Sequence, residues 1–426
     1  MEFRKLGEFC TVKGGKRLPK GTQLQESKTN HPYLRIKDFN NGNIDINNLM
    51  YISEEVFNKI SNYTINKGNI FLSIVGTIGL VDVIEEELDK SSLTENAVKI
   101  YSNDEKQLST EFLSYYLKST MGQHEIRIRT VGSTQPKLAI TRIKDINVPM
   151  IDIKKQYKIT WILSNIDKKI KLNRTIIANL EELSQTLFKR WFVDFEFPNE
   201  EGNPYKSSGG EMIDSELGKI PSNWKIYKLK DIASHKKETF NPKKSEEVTV
   251  KHFSLPAYDN EEQAIEEEVN KIKSNKWIIN NNCVLFSKMN PDTKRIWLPV
   301  IDNKKLNVAS SEFVVMESPN NKINSFIYNI CLNSQFVDYL KANTTGSTNS
   351  RQRVKPTIAV NYKLAIEDSI VKKYSEIITP YMEEMKILRS EIGKLTQLRD
   401  TLLPKLMSGE LEISDDIEVN SDELSI

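Results

Sequence analysis

The amino-acid sequence predicts an α+β protein in which two similar domains of mixed strands and helices are separated by two long helices forming an antiparallel coiled coil. Three observations lead to this fold class. The chain has 426 residues, more than one hydrophobic core usually supports. Its second half repeats features of its first half at an offset of about 215 residues. Each half ends in a long stretch with apolar residues at a 3.5-residue period.

Three short segments carry the internal repeat, and they occur in the same order in both halves. The pairs are Leu6-Gly-Glu-Phe with Leu229-Lys-Asp-Ile, Asn69-Ile-Phe-Leu-Ser with Cys283-Val-Leu-Phe-Ser, and Gly132-Ser-Thr-Gln with Gly346-Ser-Thr-Asn. After each Gly-Ser-Thr come a basic stretch, a short strand-like run and the long helical pattern. This order indicates that one structural unit is duplicated.

Each half begins with a predicted domain, residues 1–150 in the first half and residues 223–366 in the second. Both domains mix one helical stretch with runs of β-branched and aromatic residues, which favour strands. The predicted helices are Thr110 to Thr120 and Ile323 to Leu340. The predicted strands are Tyr33 to Ile36, Ile70 to Val75, Ala97 to Tyr101, Ile146 to Met150, Val284 to Ser287, Glu312 to Met316 and Tyr362 to Ile366.

Two long helices are predicted at residues 151–195 and 367–408, and their seam positions can be aligned one by one. The predicted seam is Ile159, Leu163, Ile166, Ile170, Asn173, Ile177, Leu180 and Leu187, followed by Tyr374, Ile378, Tyr381, Met385, Leu388, Ile392, Leu395 and Leu402. A 3.5-residue period over four heptads favours a coiled coil over two unrelated amphipathic helices. Because duplicated units commonly pair about a two-fold axis, we expect antiparallel helices with Asn173 near Leu388.

The rest of the chain divides into a connector and a tail. Residues 196–222 are rich in Pro, Gly, Asn and Ser, which predicts an extended connector between the halves. Residues 409–426 form an acidic tail. The formal net charge is only +2, yet residues 154–190 carry nine Lys or Arg against three Asp or Glu. Charge is therefore unevenly distributed along a nearly neutral chain.

Several classes of protein are disfavoured by missing motifs. Gly14-Gly-Lys-Arg does not satisfy the phosphate-binding pattern of ATPases, and the chain has no Asn-Pro-Pro-Tyr tetrapeptide or glycine-rich cofactor loop typical of methyltransferases. Cys10, Cys283 and Cys331 lie far apart, so buried free thiols are favoured over a zinc site. No uninterrupted apolar run is long enough for a membrane span, and we expect a soluble cytoplasmic protein.

Four segments together resemble the specificity subunits of type I restriction-modification systems. They are residues 179–195 (NLEELSQTLFKRWFVDF), Tyr205-Lys-Ser-Ser-Gly-Gly, Ile220-Pro-Ser-Asn-Trp and residues 401–411 (TLLPKLMSGEL). The resemblance spans nearly the whole chain, with the motifs in the expected order. It implies a non-catalytic phage-defence protein whose two target-recognition domains each read half of a bipartite, asymmetric DNA site, with the helices as a ruler between them.

The same resemblance implies partner subunits. Modification subunits that methylate adenine with S-adenosylmethionine would dock on the helices, and a restriction subunit using ATP and Mg²⁺ would cleave unmodified DNA. No cofactor or metal is implied in this chain. The basic helix face of Lys168, Lys169, Lys171 and Arg174 could meet DNA or a modification subunit, or be an ordinary solvated face.

Candidate DNA contacts are cations for phosphates and polar side chains for base edges. In the first half they are Lys13, Lys16, Arg17, Arg35, Lys37, Ser133, Thr134, Gln135 and Lys137. In the second half they are Tyr258, Lys288, Arg295, Ser347, Thr348, Asn349, Arg351 and Arg353. Arginine can read guanine, and Asn349 or Gln352 could read adenine. The alternatives are structural turns for the Gly-Ser-Thr loops, solvated loops for the other cations and core packing for Tyr258.

Two other functions remain open on the sequence alone. Asp292, with Asp302 and Lys304 after it, supplies the residue types of a metal-dependent PD-(D/E)xK nuclease, although such triplets are common by chance in a chain with 28% charged residues. A coiled-coil scaffold that binds only protein is the third possibility. It predicts no affinity for duplex DNA, whereas a specificity subunit binds DNA with strong salt dependence.

Overall fold

The computed structural model describes residues 2–40, 42–346 and 352–414. It divides into two compact units, of which the first contains Met1–Lys169 with Leu395–Ile426 and the second contains Ile170–Lys394. Both long helices therefore contribute residues to both units. The mixture of sheets with two long helices confirms the predicted fold class. Within the described ranges, no helix has both the length and the apolar character needed to cross a membrane.

The first unit is built on a four-stranded antiparallel sheet in the order β2-β10-β7-β8. Its strands are β1 Glu2–Lys5, β2 Cys10–Gly14, β3 Tyr33–Leu34, β4 Phe39–Asn40, β5 Asn43–Ile44, β6 Thr64–Ile65, β7 Ile70–Ser73, β8 Val81–Val83, β9 Ser91–Leu93, β10 Ala97–Ser102 and β11 Asn147–Met150. Its helices are α1 Glu54–Ile60, α2 Thr110–Lys118, α3 Thr120–Arg129, α4 Ile140–Lys144 and the start of α5 Ile153–Phe188. Smaller sheets pair β1 with β11, β4 with β5, and β3 with β9 and β6.

Strand β7 is buried on both faces, which explains its continuous apolar sequence. Ile70 and Leu72 point into one core cluster, which includes Phe112 of α2, while Phe71 points into another with Leu34. The alternation follows from the two-residue period of a strand.

The second unit repeats this plan with a larger second sheet. Its strands are β12 Met212–Ser215, β13 Gly218–Pro221, β14 Lys225–Lys228, β15 Ser234–His235, β16 Thr239–Phe240, β17 Thr249–Phe253, β18 Ile265–Glu268, β19 Lys276–Ile278, β20 Cys283–Ser287, β21 Ile296–Trp297, β22 Asn307–Ala309, β23 Phe313–Glu317 and β24 Lys363–Ile366. Its helices are α6 Leu229–Ile232, α7 Leu255–Asp259, α8 Asn324–Leu332, α9 Ser334–Ala342, α10 Pro356–Ala359 and most of α11 Asp368–Ser408. The sheet order β15-β23-β20-β21 corresponds to β2-β10-β7-β8, and β16-β19-β22-β17-β18 enlarges the first unit's β6-β9-β3.

The sequence predicted one helix in each domain at this place, whereas the structure has two. The predicted helix Thr110 to Thr120 corresponds to α2 alone, and α3 was not predicted; the predicted helix Ile323 to Leu340 is divided into α8 and α9. In the first unit, the Ser119 hydroxyl accepts a hydrogen bond from the backbone N–H of Gly122 and caps α3. In the second unit, the Asn333 side chain caps α9 in the same way, through the backbone N–H of Gln335. The side chains of Ser and Asn can bond to backbone groups that would otherwise continue the preceding helix. The backbone therefore turns at repeat-related positions in the two units.

Helices α5 and α11 pair in antiparallel fashion within each unit. In the second unit, the Asn173 side chain donates to Glu391 over 2.8 Å, and the Tyr374 hydroxyl donates to the Ser184 carbonyl over 3.0 Å. Partner numbers thus fall on one helix as they rise on the other. Among the predicted seam residues the buried ones are Ile159, Leu163, Ile170, Asn173, Tyr374, Ile378, Met385, Leu388 and Ile392. The half-buried ones are Ile166, Ile177, Leu180, Leu187, Tyr381, Leu395 and Leu402.

The segment predicted as an extended connector, residues 196–222, is more ordered than its composition indicates. It contains the antiparallel hairpin of β12 and β13. The Phe197 ring stacks on Tyr205 with 4.6 Å between centroids and on Trp224 with 5.0 Å. Aromatic burial offsets the entropy that Gly and Ser would otherwise retain, so this segment joins the core of the second unit. Most of the acidic tail, residues 415–426, lies outside the described residues.

Candidate nucleic-acid interface

In the first unit, two loops are tied together at the end of strand β7. We call residues 74–80 the first strand loop and residues 131–137 the first Gly-Ser-Thr loop. The backbone of Lys137 forms β-bridges with Val75 of the strand loop and with Val131. The Ser73 hydroxyl accepts from the Leu80 N–H over 2.8 Å, which closes the strand loop. The intervening side chains of Ser133, Thr134 and Gln135 are exposed.

The backbone of the first Gly-Ser-Thr loop depends on its glycine. Gly132 has φ of +101°, and a Cβ at that position would lie 2.9 Å from the Gln135 carbonyl oxygen. A side chain would be strained there. The first Gly-Ser-Thr loop is therefore a structural turn that also presents polar side chains to solvent. A structural role for Gly132 is compatible with DNA contact by its neighbours.

The second unit has the same loop pair at repeat-related positions. We call residues 288–295 the second strand loop and residues 345–353 the second Gly-Ser-Thr loop. Arg353 forms β-bridges with Met289 and Thr345, which are the repeat equivalents of Val75 and Val131. The Arg353 guanidinium is 3.6 Å from Glu312 but its side chain is still 56% exposed. The candidates Ser347, Thr348, Asn349 and Arg351 lie outside the described residues.

The segment Lys13 to Arg17 runs beside the first strand loop. The Gly15 N–H donates to the Ala97 carbonyl, and the Lys16 N–H donates to the Leu93 carbonyl. A Cβ on Gly15 would lie 2.1 Å from the Thr94 carbonyl oxygen, so only glycine permits this approach. Asn96 joins the two regions, because its carbonyl accepts from the N–H of Ile74.

The cations of this region differ in their partners. The Lys16 ammonium lies 5.4 Å from the centroid of the Tyr63 ring, and Arg17 pairs with Glu95 over 2.9 Å while its side chain remains 83% exposed. Both side chains could turn to a phosphate at little cost, because exposed cation–π contacts and exposed ion pairs each contribute little to stability. Lys13 is exposed on β2.

The turn of residues 35–38 also faces the first strand loop. Ile36 is 3.8 Å from the position of a Cβ on Gly76. The Arg35 guanidinium donates three hydrogen bonds to the carboxylate of Asp38, which is buried, so this arginine has a structural partner. Lys37 is exposed. Within the described part of the chain, the ammonium groups of Lys13, Lys37 and Lys137 form no ion pair.

Three candidates of the second unit are held by protein contacts. Arg295 makes a two-pronged pair with Asp259, over 2.6 and 2.9 Å. The Tyr258 ring packs edge-on to Trp297 at 5.5 Å, and burial raises the pKa of its phenol. The Lys288 ammonium donates to the Ser311 carbonyl over 2.7 Å. These contacts favour the core-packing interpretation of Tyr258.

Sequence reasoning missed the first strand loop, and in the second strand loop it named Lys288 and Arg295 but not Asn290. Gly76 and Thr77 lie in the first and Asn290 in the second, where the Asn290 N–H donates to the Gln352 carbonyl over 3.0 Å. Their signal was present in the repeat, because Ser73 and Ser287 end matching strands at the same offset as the two Gly-Ser-Thr loops. The loops that follow differ in sequence, as expected if each serves a different ligand.

The carboxylates that suggested a nuclease are engaged separately. Asp292 pairs with Lys341 over 2.7 Å, and the Asp302 carboxylate accepts from the Lys304 N–H over 2.8 Å in a turn. Across the residues that the structure describes, no group of three or more His, Cys, Asp and Glu side chains could hold a metal ion. The arrangement therefore gives no support to metal-dependent cleavage by this chain.

The three cysteines are free and buried, as predicted. Burial raises the pKa of the Cys10 thiol to about 12 and that of Cys283 to about 11. A thiol in this environment is not a nucleophile near neutral pH.

Comparison with known proteins identifies similar chains, some of them over nearly the whole length. A family model described as "Type I restriction modification DNA specificity domain" matches residues 1–182. The chain is 26% identical to the "Type I restriction enzyme MjaIX specificity subunit" of Methanocaldococcus jannaschii, over 97% of this chain and 99% of that protein. It is 30% identical to the HindI specificity subunit of Haemophilus influenzae over 31% of this chain and 29% of that one.

A solved structure has the same fold. The S subunit of a type I restriction-modification system from M. genitalium superposes with a TM-score of 0.59 and 15% sequence identity, over 97% of this chain and 96% of that one. At this identity the likeness concerns the fold alone.

Proposed function

Because this chain belongs to the specificity subunits of type I restriction-modification systems, we propose that it binds duplex DNA and reads a bipartite, asymmetric site, one half with each unit. The observation that carries the proposal is the repeated pair of bridged loops, with the exposed cations Lys137 and Arg353 at equivalent positions. The subunit itself is non-catalytic.

The chemistry of the loops supports this function. Exposed Lys13, Lys37 and Lys137 supply charge for phosphates without first breaking an ion pair. Ser133, Thr134 and Gln135 supply donors and acceptors for base edges. The second Gly-Ser-Thr loop carries arginines and is two residues longer between its bridges, 345–353 against 131–137. Different loops on a repeated scaffold suit two different half-sites.

The partners follow from the family. We propose that modification subunits use S-adenosylmethionine to methylate adenine at sites chosen by this chain, and that a restriction subunit uses ATP and Mg²⁺ to cut unmodified DNA. This chain would hold none of these cofactors. The proposal assigns the protein to the cytoplasm, where the chromosomal DNA lies.

Co-expression with its methyltransferase subunit, followed by mapping of methylated adenine across a genome, tests the proposal. We expect an interrupted two-part motif that disappears when this chain is omitted. Methylation without such a motif, or methylation unaffected by omission of this chain, would contradict it.

Lys137→Ala and Arg353→Ala form a matched pair for the same assay. Each changes the cation at the equivalent bridge of one unit, so each should weaken recognition of one half-site about tenfold or more and leave the other unchanged. Relaxation of both halves by either variant would contradict the assignment of one half-site to each unit.

A protein-only scaffold is separated from this function by duplex-DNA binding at several salt concentrations. A specificity subunit in its complex should lose affinity steeply as salt rises, because binding releases condensed cations from the DNA and this release becomes less favourable at higher bulk salt. Absence of duplex binding at low salt would favour the scaffold.

A further inference from the structure

One segment of the second unit contacts the helices α5 and α11 together. We call residues 255–263, which comprise α7 and the four residues after it, the docking loop. Glu262 pairs with the guanidinium of Arg389 on α11 over 3.0 Å. Glu261 pairs with Arg174 on α5. The Gln263 side chain donates to the Arg389 carbonyl over 2.9 Å, so three consecutive residues bind the helix pair.

The two arginines occupy equivalent positions of the internal repeat. Arg389 follows Arg174 at the same offset that relates the two seams. A symmetric arrangement would give each domain one of these arginines. Instead, adjacent glutamates of the second domain bind both. In the first domain, β3 corresponds to β17 and is followed by the short turn at Ile36–Asp38, where the second domain has α7.

The contact between Glu262 and Arg389 is buried, and the backbone of the docking loop is strained where it makes this contact. Glu262 and Arg389 have side chains 17% and 8% exposed. Glu181 lies 4.0 Å from the same guanidinium and also accepts from the Tyr328 hydroxyl, so the network joins α5, α8, α11 and the docking loop. Glu261 and Glu262 have φ of +62° and +55°, in the left-handed region that non-glycine residues avoid. Such strain persists only where surrounding contacts enforce it.

The docking loop is connected to the second strand loop by side-chain contacts. Asp259 binds Arg295 with both carboxylate oxygens. The Tyr258 hydroxyl donates to the Lys294 carbonyl over 3.4 Å. The strand loop then reaches Arg353 through the β-bridge at Met289. A continuous series of contacts therefore joins Arg389 on α11 to the candidate DNA contact Arg353.

We propose that Glu262 and Arg389 are positioning residues for recognition of the second half-site. They fix the docking loop on the helices, and the docking loop holds the second strand loop and Arg353 in the geometry that reads DNA. This inference rests on the proposed function. It adds a determinant of specificity that does not touch DNA and that has no counterpart among the described residues of the first unit.

The test uses the full chain co-expressed with its methyltransferase subunit and the methylated-adenine map described above. Glu262→Gln and Arg389→Gln should reduce discrimination in one half of the motif by about tenfold while the other half keeps its stringency. Arg399→Gln is the matched control. It removes another arginine of α11, one that pairs with Asp167 of the first unit over 2.9 Å, and should leave that same half unchanged.

The outcomes separate this inference from the function on which it rests. If the unmodified chain directs no two-part motif, the proposed function fails. If it directs one, and the folded variants keep full stringency in both halves or relax both equally, the positioning role is overturned. If the buried variants do not fold, Arg174→Gln tests the same fixing of the docking loop at its other helix contact, and because Arg174 is 37% exposed we expect this variant to fold. It should relax the same half of the motif, and unchanged stringency in that half would overturn the positioning role of the docking loop's helix contacts.

Discussion

Buried and half-buried polar groups of the first unit connect α2 to the long helices. The Tyr115 hydroxyl donates to Asp167 over 2.8 Å, and Asp167 also accepts from Arg399 over 2.9 Å. Glu111 lies one turn before Tyr115 on α2, and it interacts electrostatically with the negative charge of Asp167. Burial raises the pKa of Glu111 to about 7, the negative charge of Asp167 adds to the rise, and Lys168 opposes it.

Glu111 should make stability depend on pH. Its pKa in the folded protein exceeds the ordinary 4.5, so the folded state holds the proton more tightly. Its contribution is full below pH 4.5 and is lost as pH rises through about 7. Glu111→Gln should remove a slope on the order of 1 kcal/mol per pH unit in that window. Denaturant unfolding of both proteins from pH 4.5 to 7.5 measures the difference, and parallel curves would contradict it.

Gly15 and Gly14 form a matched pair for the Lys13 to Arg17 segment. Gly15→Ala should cost about 3 kcal/mol, because its Cβ would meet the Thr94 and Leu93 carbonyl oxygens at 2.1 and 2.3 Å. Gly14→Ala makes only an ordinary 3.5 Å contact with Ile140 and should change stability far less. Thermal unfolding compares the two variants; equal losses would mean that the close approach is unimportant.

At the scale of the element, α5 and α11 pack through an apolar seam and are also joined by hydrogen bonds between polar side chains. Ile378, Met385 and Ile392 are buried along α11, as a heptad seam requires. Asn173 is the polar seam position, and its amide donates to Glu391. A single polar contact of this kind can specify register at some cost in stability.

Neighbouring isoleucines of α11 test the seam. Ile378 is fully buried, whereas Ile377 is 42% exposed on the same turn. Ile378→Ala should destabilise the protein by about 2–5 kcal/mol through lost burial and a cavity. Ile377→Ala should change stability by about 0.5 kcal/mol or less. Chemical denaturation measures the free energy of unfolding of the two variants. Similar decreases in both would argue against a specific apolar seam at Ile378.

At the scale of the whole molecule, the helices belong to both units, so a change in helix length is expected to act on both recognition units at once. The proposed function gives that length a role, since each unit reads its own half-site. The duplicated sequence keeps one constant offset along both seams, which suggests that helix length is maintained.

Deletion of one heptad from each helix, near Lys169 and near Leu395, tests the ruler role. Seven residues at 1.5 Å each shorten a helix by about 10 Å, or about three base pairs at 3.4 Å. We expect the gap between half-sites to shorten by about that much, while the half-sites keep their sequences. Methylated-adenine mapping measures the gap; an unchanged gap in a folded, active variant would refute the ruler role.

The sequence by itself determined the duplication, the fold class and the two paired helices, because periodicity and repeated segments depend only on residue order. It also pointed to the Gly-Ser-Thr loops. It did not reveal the first strand loop, since the two strand loops differ in sequence between the halves. It predicted one helix over Ile323 to Leu340, where Asn333 caps a second helix, and it predicted no helix after Thr120, where Ser119 caps α3.

Only the tertiary structure decided which cations have protein partners and which remain exposed. The sequence made Arg35, Arg295, Lys37 and Lys137 candidates on the same grounds. In the structure Arg35 binds Asp38 and Arg295 binds Asp259, whereas Lys37 and Lys137 are exposed. The pairing of Glu262 with Arg389 likewise joins two residues that are far apart along the chain. Such contacts form between side chains that folding brings within hydrogen-bond distance. Patterns of residue order report local periodicity, and they do not show which distant residues become neighbours in space.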